Sequence, residues 1–277
     1  MIRSLTLVSL SAAFLVTALP ACSGSVVSDP PTASAVDQAV SRAPIGAATH
    51  GRLKHIGEAL GQVDLRADQR VSLEALAAEA EVRQGPALKA KEELSAIVAS
   101  QVEAGAIDRA LLQPKIDALV VALRAQQPGD RAAFEKLHDT LDPTQRKAFV
   151  VALKSTFHGP MGAGMREHGG HSIAQWAADL ALTDDQQSGL KELFHAGMGE
   201  HHGDGKEGMA RGHALLDAFT GDSFRFDDVQ PAEDPQVHVT KMTTHVLDLA
   251  EKALPLLTPE QRALAAAKVR LHAGAMP

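Results

Sequence analysis

Four short segments of the chain share one pattern, in which a leucine is followed four residues later by a glutamine. The segments are Leu65-Arg66-Ala67-Asp68-Gln69, Leu141-Asp142-Pro143-Thr144-Gln145, Leu182-Thr183-Asp184-Asp185-Gln186 and Leu257-Thr258-Pro259-Glu260-Gln261. The first two glutamines lie 76 residues apart, and the last two lie 75 residues apart. Such self-similarity at a fixed spacing indicates repeated units, and it predicts two modules of about 110 residues each.

Each segment is typical of a helix N-terminus. An N-cap side chain accepts a hydrogen bond from the helix backbone, and a glutamine three residues later bonds back to the N-cap N–H. The residues that fit these roles are Asp142, Thr183 and Thr258 as N-caps, and Gln145, Gln186 and Gln261 as their partners. Pro143 and Pro259 take the first helical position, where a missing N–H costs nothing. Arg66 cannot cap, so the first copy is degenerate, and Asp64 or Asp68 is left to share its role. These motif residues are expected to set helix starts, and module pairing is an open further role.

The composition favours helices over strands. Of 277 residues, 45% are hydrophobic, only 3% are aromatic, and there is no tyrosine. Alanine, leucine, glutamine, glutamate and lysine dominate the periodic segments, and these are strong helix formers. The length is sufficient for one or two domains with a real core. We therefore expect an all-α protein.

The N-terminus reads as a bacterial lipoprotein signal. Arg3 precedes an apolar stretch at 5–19 and the sequence Leu19-Pro20-Ala21-Cys22. This ending resembles a lipobox, which implies lipid attachment at Cys22 and removal of residues 1–21. The alternative is an ordinary signal peptide that leaves Cys22, the single cysteine, as an incidental thiol. Ser23 after the cysteine favours the outer over the inner membrane, with the protein on the periplasmic face.

Residues 22–47 read as a flexible tether, because they are rich in serine, alanine and proline and lack helical periodicity. Removing the signal takes away one positive charge, so the net charge changes from −7 to −8. An acidic chain without a concentrated Lys/Arg face is not suited to nucleic acid. Membrane contact is expected through the lipid anchor alone.

The two modules are expected at 48–158 and 172–277, joined by a linker rich in Gly, His and Met at 159–171. In the first, apolar stripes of helical period contain three turn or breaker signals. Gly85-Pro86 is expected to kink or break its helix, Gly105 to Asp108 to form a turn, and Gln127-Pro128-Gly129 to interrupt the chain again. The second repeats this order, with Ser223 to Asp227 as the turn that matches Gly105 to Asp108. Each module is therefore predicted to be a set of helical hairpins.

The paired Leu-Thr-x-x-Gln motifs, the segment from Ala214 to Asp228 and the exported location resemble the Spy/CpxP family of periplasmic proteins. The resemblance covers roughly residues 50–277, twice over. It implies helical hairpins that associate as a curved antiparallel dimer and hold unfolded or misfolded envelope proteins without ATP, or modulate envelope stress. Two modules in one chain are expected to pair intramolecularly or to form a homodimer. Client contact is expected on a concave apolar surface, with patches around Phe219, Phe224 and Phe226.

A metal-binding alternative rests on the histidines and methionines. Ten of the 13 histidines and six of the seven methionines lie from residue 158 onward. The candidate ligands are His158, Met161, Met165, His168, His171, His195, His201 and His202. Imidazole and thioether side chains suit copper, and imidazole also suits zinc and nickel. The resemblance extends to the metal-resistance proteins ZraP and CnrX, which implies sensing or binding of heavy metals; otherwise the tract is a solvated linker. An ATP-independent chaperone of this kind requires no cofactor.

No enzyme motif is present in the sequence. We find no nucleophile elbow, no zinc-protease motif and no phosphate loop. Cys22 cannot act as a nucleophile if it is acylated. We therefore expect a protein without catalytic activity, and a lipoprotein scaffold for one folded partner is the third possibility.

Overall fold

A computed structural model describes residues 43–158, 177–199 and 202–275, and the regular elements within these ranges are helical. The helices are α1 (Gly51–Leu60), α2 (Ala67–Ala104), α3 (Arg109–Thr140), α4 (Pro143–His158), α5 (Asp184–Gly199), α6 (His202–Phe219), α7 (Phe226–Val229), α8 (Pro235–Ala253), a 3₁₀ turn at Leu254–Leu256, and α9 (Pro259–Ala275). The all-α prediction is confirmed. Within the described part of the chain, no helix is long and apolar enough to cross a membrane. The signal segment, most of the tether and the 159–171 linker lie outside the described residues.

The two longest helices, α2 and α3, form an antiparallel hairpin. Its turn begins at Gly105, which ends α2 with a φ of 82°, in the left-handed region that glycine adopts readily. Asp108 then caps α3, its carboxylate accepting from the N–H groups of Ala110 and Leu111. The predicted turn between Gly105 and Asp108 is confirmed.

Neither Gly85-Pro86 nor Gln127-Pro128-Gly129 breaks its helix, so the interruption predicted at Gln127-Pro128-Gly129 is wrong, and of the kink or break predicted at Gly85-Pro86 the break is not found. Helix α2 continues through Gly85 and Pro86, and α3 continues through Pro128 and Gly129. Both helices are packed against each other on either side of these positions, and tertiary packing of this kind outweighs weak local propensity. The prolines therefore remain inside helices, at a local cost in backbone hydrogen bonding.

The second half of the chain lies head to tail against the first. Helix α8 packs along α3, and α9 packs along α2. As a result, the turn of each half lies at the motif end of the other. Gly105 sits beside the Arg262 side chain, and Nε2 of His138 donates to the carbonyl of Gly221 at 3.0 Å. A carbonyl can only accept, so Nε2 of His138 is the donor of this bond.

Three apolar clusters form the core. The first lies at one end, where α1 and α4 meet the turn of the second half; its fully buried members include Ile45, Phe149 and Phe219. The second lies at the other end, where Ala99 and Val102 of α2 pack against Ala265 and Ala266 of α9, together with Leu180. The third fills the space between α2, α3 and α8, with Leu94, Leu112, Val239 and Leu247. Each end of the molecule is thus built from both halves of the chain.

The expectation that Phe219, Phe224 and Phe226 form an open client patch is wrong. Phe219 is 0% exposed and Phe224 is 6% exposed, and Phe226 is half-buried. Their rings contact Phe134 and one another at centroid distances of 4.9–6.2 Å. Burial of large aromatic side chains is strongly favourable, so Phe219, Phe224 and Phe226 pack into the first cluster and do not form an open surface.

Ion pairs align the two halves along α3 and α8. Arg109 pairs with Glu251 at 2.7 Å and with Asp248, and Arg124 pairs with Asp234 at 2.8 Å. The hydrogen bonds from Arg109 hold the pKa of Asp248 and Glu251 below their usual values. Because these groups are exposed, each pair adds little stability, and their main effect is on alignment.

The last residues of the predicted 22–47 tether pack on the helices. Ile45 is 1% exposed, and its N–H donates to the carbonyl of Gly57 at 3.0 Å. Arg70 donates to the carbonyl of Ala43 at 2.8 Å. A buried apolar side chain and paired backbone groups explain why this stretch is held even though its composition is that of a tether.

We expect Gly57→Ala to destabilise the protein by roughly 2 kcal/mol or more, because a Cβ at this position would overlap the carbonyl oxygen of Ile45. The matched control is Gly208→Ala in α6, where the Cβ would meet no atom within 4 Å. This control should be stabilising by about 0.5–1 kcal/mol. Urea unfolding of both variants measures the difference. Equal effects of the two substitutions would contradict the packing of the 43–46 segment on α1.

Candidate functional site

The first pair of motifs is joined by a reciprocal bridge between two glutamine amides. Nε2 of Gln69 donates to Oε1 of Gln145 at 2.8 Å, and Nε2 of Gln145 donates to Oε1 of Gln69 at 2.9 Å. The two residues are 3% and 7% exposed. The bridge therefore lies in the interior, where an unpaired amide would be costly.

Each glutamine of this bridge makes two further hydrogen bonds. Its Oε1 also accepts from the N-cap N–H of its own helix, at 3.0 Å from Arg66 and 2.9 Å from Asp142. Its second amide hydrogen goes to the carbonyl before the partner motif's leucine, at 2.7 Å in both cases. Those carbonyls belong to Thr140 and Asp64. A glutamine amide has two donor hydrogens and two acceptor lone pairs, so every one is used.

The second pair of motifs repeats the same network. Gln186 and Gln261 donate to each other at 2.8 and 3.0 Å. Their Oε1 atoms accept from the N–H groups of Thr183 and Thr258, both at 2.9 Å. Their remaining hydrogens go to the carbonyls that precede the leucines of the partner motifs, those of Leu256 at 2.7 Å and Ala181 at 3.3 Å. The two pairs of motifs thus make the same hydrogen bonds, atom for atom.

The three sequence-predicted caps, Asp142, Thr183 and Thr258, lie at the starts of their helices. Oδ1 of Asp142 accepts from the N–H groups of Thr144 and Gln145, each at 2.9 Å. The hydroxyls of Thr183 and Thr258 accept from the N–H groups of their glutamines at 3.3 Å. Arg66 makes no side-chain cap, as its chemistry dictates. The bridges connect the two motifs of one half, so they do not pair the modules with each other.

Sequence reasoning missed the lateral bond between the glutamines. The matched spacings of 76 and 75 residues were the available signal, because equal spacing places two motifs side by side in each half. Sequence reasoning also missed the hydrogen bonds made by the residue that follows the glutamine in the second and third motifs. Arg146 is 6% exposed and donates to the carbonyl of Leu141 at 3.0 Å, and Gln187 does the same to Leu182 at 3.0 Å.

The metal candidates are mostly beyond the described residues. Met161, Met165, His168, His171 and His201, and likewise Cys22, fall outside them. His158 and His202 are placed only as helical positions at the ends of α4 and α6, and His195 is exposed on α5. Among the described residues, no group of three or more His, Cys, Asp or Glu side chains is placed to hold a metal ion. Zinc, copper or nickel binding stays a prediction.

One exposed face of α3 carries no charged residue over most of its length. Seven positions alternate in steps of three and four, and all are apolar and exposed: Leu111, Pro114, Ala118, Val121, Ala125, Pro128 and Ala132. We call this set the α3 face. Leu111 is 63% exposed and Val121 is 62% exposed. At 1.5 Å per residue the face extends for about 30 Å. A shorter stripe on α2 has the same character, with Val71, Ala75, Ala78 and Val82.

Comparison with known proteins gives one match. The model of a family described as "LTXXQ motif family protein" matches residues 168–268. This range contains the second pair of motifs and the turn between them. Neither the curated proteins nor the solved structures contain a significant match to the chain.

We expect Gln145→Glu to destabilise the protein by roughly 2–4 kcal/mol near neutral pH. The carboxylate cannot donate to the carbonyl of Asp64 or to Oε1 of Gln69, and it brings negative charge to a buried site. The folded state therefore raises the pKa of the new glutamate, so the deficit should shrink as the pH falls towards about 4, where the neutral acid can donate once more.

Urea unfolding at both pH values tests this expectation. Gln62→Glu, at an exposed position on the same side of the molecule, is the matched control and should change stability by less than about 0.5 kcal/mol. Gln186→Glu should have an intermediate cost, since Gln186 is only partly buried. A cost that does not depend on pH would argue against the bridge as the cause.

Proposed function

We infer that this chain, whose residues 168–268 belong to the LTXXQ motif family, is a Spy/CpxP-like periplasmic protein that holds unfolded envelope proteins without ATP. The observation that carries the holding activity is the α3 face. It is about 30 Å of exposed helix surface without a charge. Exposed apolar stretches of this size are typical of interaction surfaces.

The residue types of the α3 face suit weak and general binding. Alanine and proline dominate, and only Leu111 and Val121 are large. Such a surface gains little per contact, about 25 cal/mol per Å² of apolar area buried, and its small side chains give each contact little area. Lys115, Asp117 and Arg124 flank it with both signs of charge. An extended apolar segment of any sequence could therefore lie along it and leave again.

The proposal includes attachment of the protein to the membrane through a lipid on Cys22, at the periplasmic face and more favourably in the outer membrane. The sequence before Cys22 supports it. Labelling with radioactive palmitate should mark the wild-type chain and should be lost in Cys22→Ala. A label that persists in that variant would place the lipid elsewhere, and no label in either chain would remove the anchor.

We expect Leu111→Glu/Val121→Glu to weaken holding of unfolded clients. Two carboxylates on the α3 face would have to lose water when a client binds, and the protein concentration needed to suppress aggregation should rise roughly tenfold. The measurement is light scattering of a chemically denatured protein diluted into buffer with and without each variant.

The matched control is Val151→Glu/Leu271→Glu. These residues are 68% and 70% exposed on α4 and α9, so the change in charge and exposure is the same. The urea midpoints of both variants should stay close to that of the wild type, because all four side chains point to solvent. If the two double variants suppress aggregation equally well, the α3 face is not the client surface.

A further inference from the structure

The geometry points to a hinge across the middle of the molecule, at the level of Gly85-Pro86 in α2 and Pro128-Gly129 in α3. The first lobe contains the first core cluster and the bridge between Gln69 and Gln145. The second lobe contains the second and third clusters and the bridge between Gln186 and Gln261. We propose that the two lobes bend relative to each other at this level.

Both long helices have their weakest backbone at the same height. Nε of Arg83 donates to Oδ1 of Asp130 at 3.1 Å, which fixes these two positions opposite each other across the hairpin. Pro86 and Pro128 lie next to them, and each lacks an N–H. The carbonyls four residues earlier thus have no helical donor, and a neighbouring glycine further lowers helix propensity in each case. Two helices weakened at one level can bend together.

The contacts between α2 and α3 at this level are polar and only partly buried, with the side chains of Arg83 and Asp130 24% and 44% exposed. The Arg83 side chain crosses directly over Gly129, where a Cβ would overlap it. Nε2 of Gln126 donates to Oδ2 of Asp130 at 2.7 Å. Nη2 of Arg83 and Oε1 of Gln126 are buried, and neither has a hydrogen-bond partner among the described residues. Unsatisfied buried groups cost free energy, so little is lost if the interior opens here.

The core clusters divide at the same level. The first cluster shares no residue with the other two, whereas the second and third share Val98 and Ile107. The apolar packing is therefore continuous within each lobe and interrupted between them. Burial of apolar surface is the main force that stabilises a fold, so the packing within each lobe is stronger than the packing between the two lobes.

The remaining described connections between the lobes are weak as well. The segment between α7 and α8 is not helical and contains Pro231. At one end the carbonyl of Gln230 accepts from Arg131, and at the other Asp234 pairs with Arg124. Helix α6 joins the lobes on the other side. It contains Gly208 and Gly212, at which an added Cβ would meet no atom within 4 Å. Apart from α2 and α3 themselves, these two segments are the described connections between the lobes.

Bending would change the shape of the α3 face. Leu111 to Val121 belong to the second lobe, and Ala132 lies on the other side of the hinge with the first. A change in the angle between the lobes alters the curvature of this surface, which would fit it to clients of different shape. This role rests on the proposed function, whereas the hinge itself does not.

Hydrogen exchange of the full-length protein tests the hinge directly. Amides of 83–89 and 125–131 should exchange roughly tenfold faster than those of 94–100 and 115–121 in the same helices. In the triple variant Gly85→Ala/Pro86→Ala/Pro128→Ala, exchange in 83–89 and 125–131 should slow to the rate of the other two segments. The two proline replacements restore the missing backbone N–H groups at positions 86 and 128. Gly129 is left unchanged, since the Arg83 side chain occupies the space beside it. Equal exchange of all four segments in the wild type would overturn the hinge.

A distance measurement provides the second test. Spin labels at Ala148 of α4 and Ala267 of α9, in full-length protein with Cys22→Ser, report the separation of the lobes, and both sites are exposed. The wild type should give a broad distance distribution, and the triple variant a distribution about half as wide. Pro114→Ala is the control: it removes a proline of the same helix beside the buried Leu112 and Ile116, and should leave the width unchanged.

The aggregation assay separates the two proposals. If the triple variant shows slowed exchange and a narrowed distribution but holds every client as the wild type does, the hinge stands and its role in client fitting is wrong. If Leu111→Glu/Val121→Glu holds clients normally, the proposed function fails independently of the hinge. A narrowing by Pro114→Ala as large as that of the triple variant would overturn the location of the hinge.

Discussion

The reciprocal bond between two glutamine amides is the interaction on which the arrangement of this protein depends. Each bridge joins the starts of two helices, and its two glutamines also bond to the carbonyls just before the leucines of the two motifs. No donor or acceptor of the two amides is left unused. Only a primary amide offers this set of two donors and two acceptors, because a carboxylate cannot donate and a hydroxyl has one hydrogen; asparagine has the same amide on a side chain that is one methylene shorter. The bridges at Gln69–Gln145 and Gln186–Gln261 thus fix where four helices begin and which helices are neighbours.

The halves complete each other's ends. The turn at Gly105 lies against Arg262 beside the second bridge, and the turn at Gly221 lies against His138 near the first. A single half would leave Phe219 on one side and Phe149 on the other without the partner that buries it. Because the turn of each half packs against the motifs of the other, the stability of one half depends on the other, even though each glutamine bridge lies within one half.

This construction leaves rigid ends and a weaker middle. The ends contain the amide bridges and continuous apolar clusters, whereas the middle contains Arg83, Gln126 and Asp130 between two Gly/Pro pairs. The α3 face extends across that middle. With the proposed hinge, a surface of small apolar residues on this helix pair would combine low selectivity with an adjustable shape, and the proposed holding of unfolded chains calls for both properties.

The sequence by itself determined the helical fold and the four helix starts, because capping, proline position and apolar period are local signals, clear at Asp142, Thr183 and Thr258. It also located the turn at Gly105. Only the tertiary structure decided that α2 and α3 continue through Pro86 and Pro128, since packing on both sides outweighs propensity. It likewise decided that Gln69 meets Gln145 and that Phe219 is buried. The contacts of Gln69 with Gln145 and of Phe219 with Phe149 join residues 70 or more positions apart, and no local pattern specifies them.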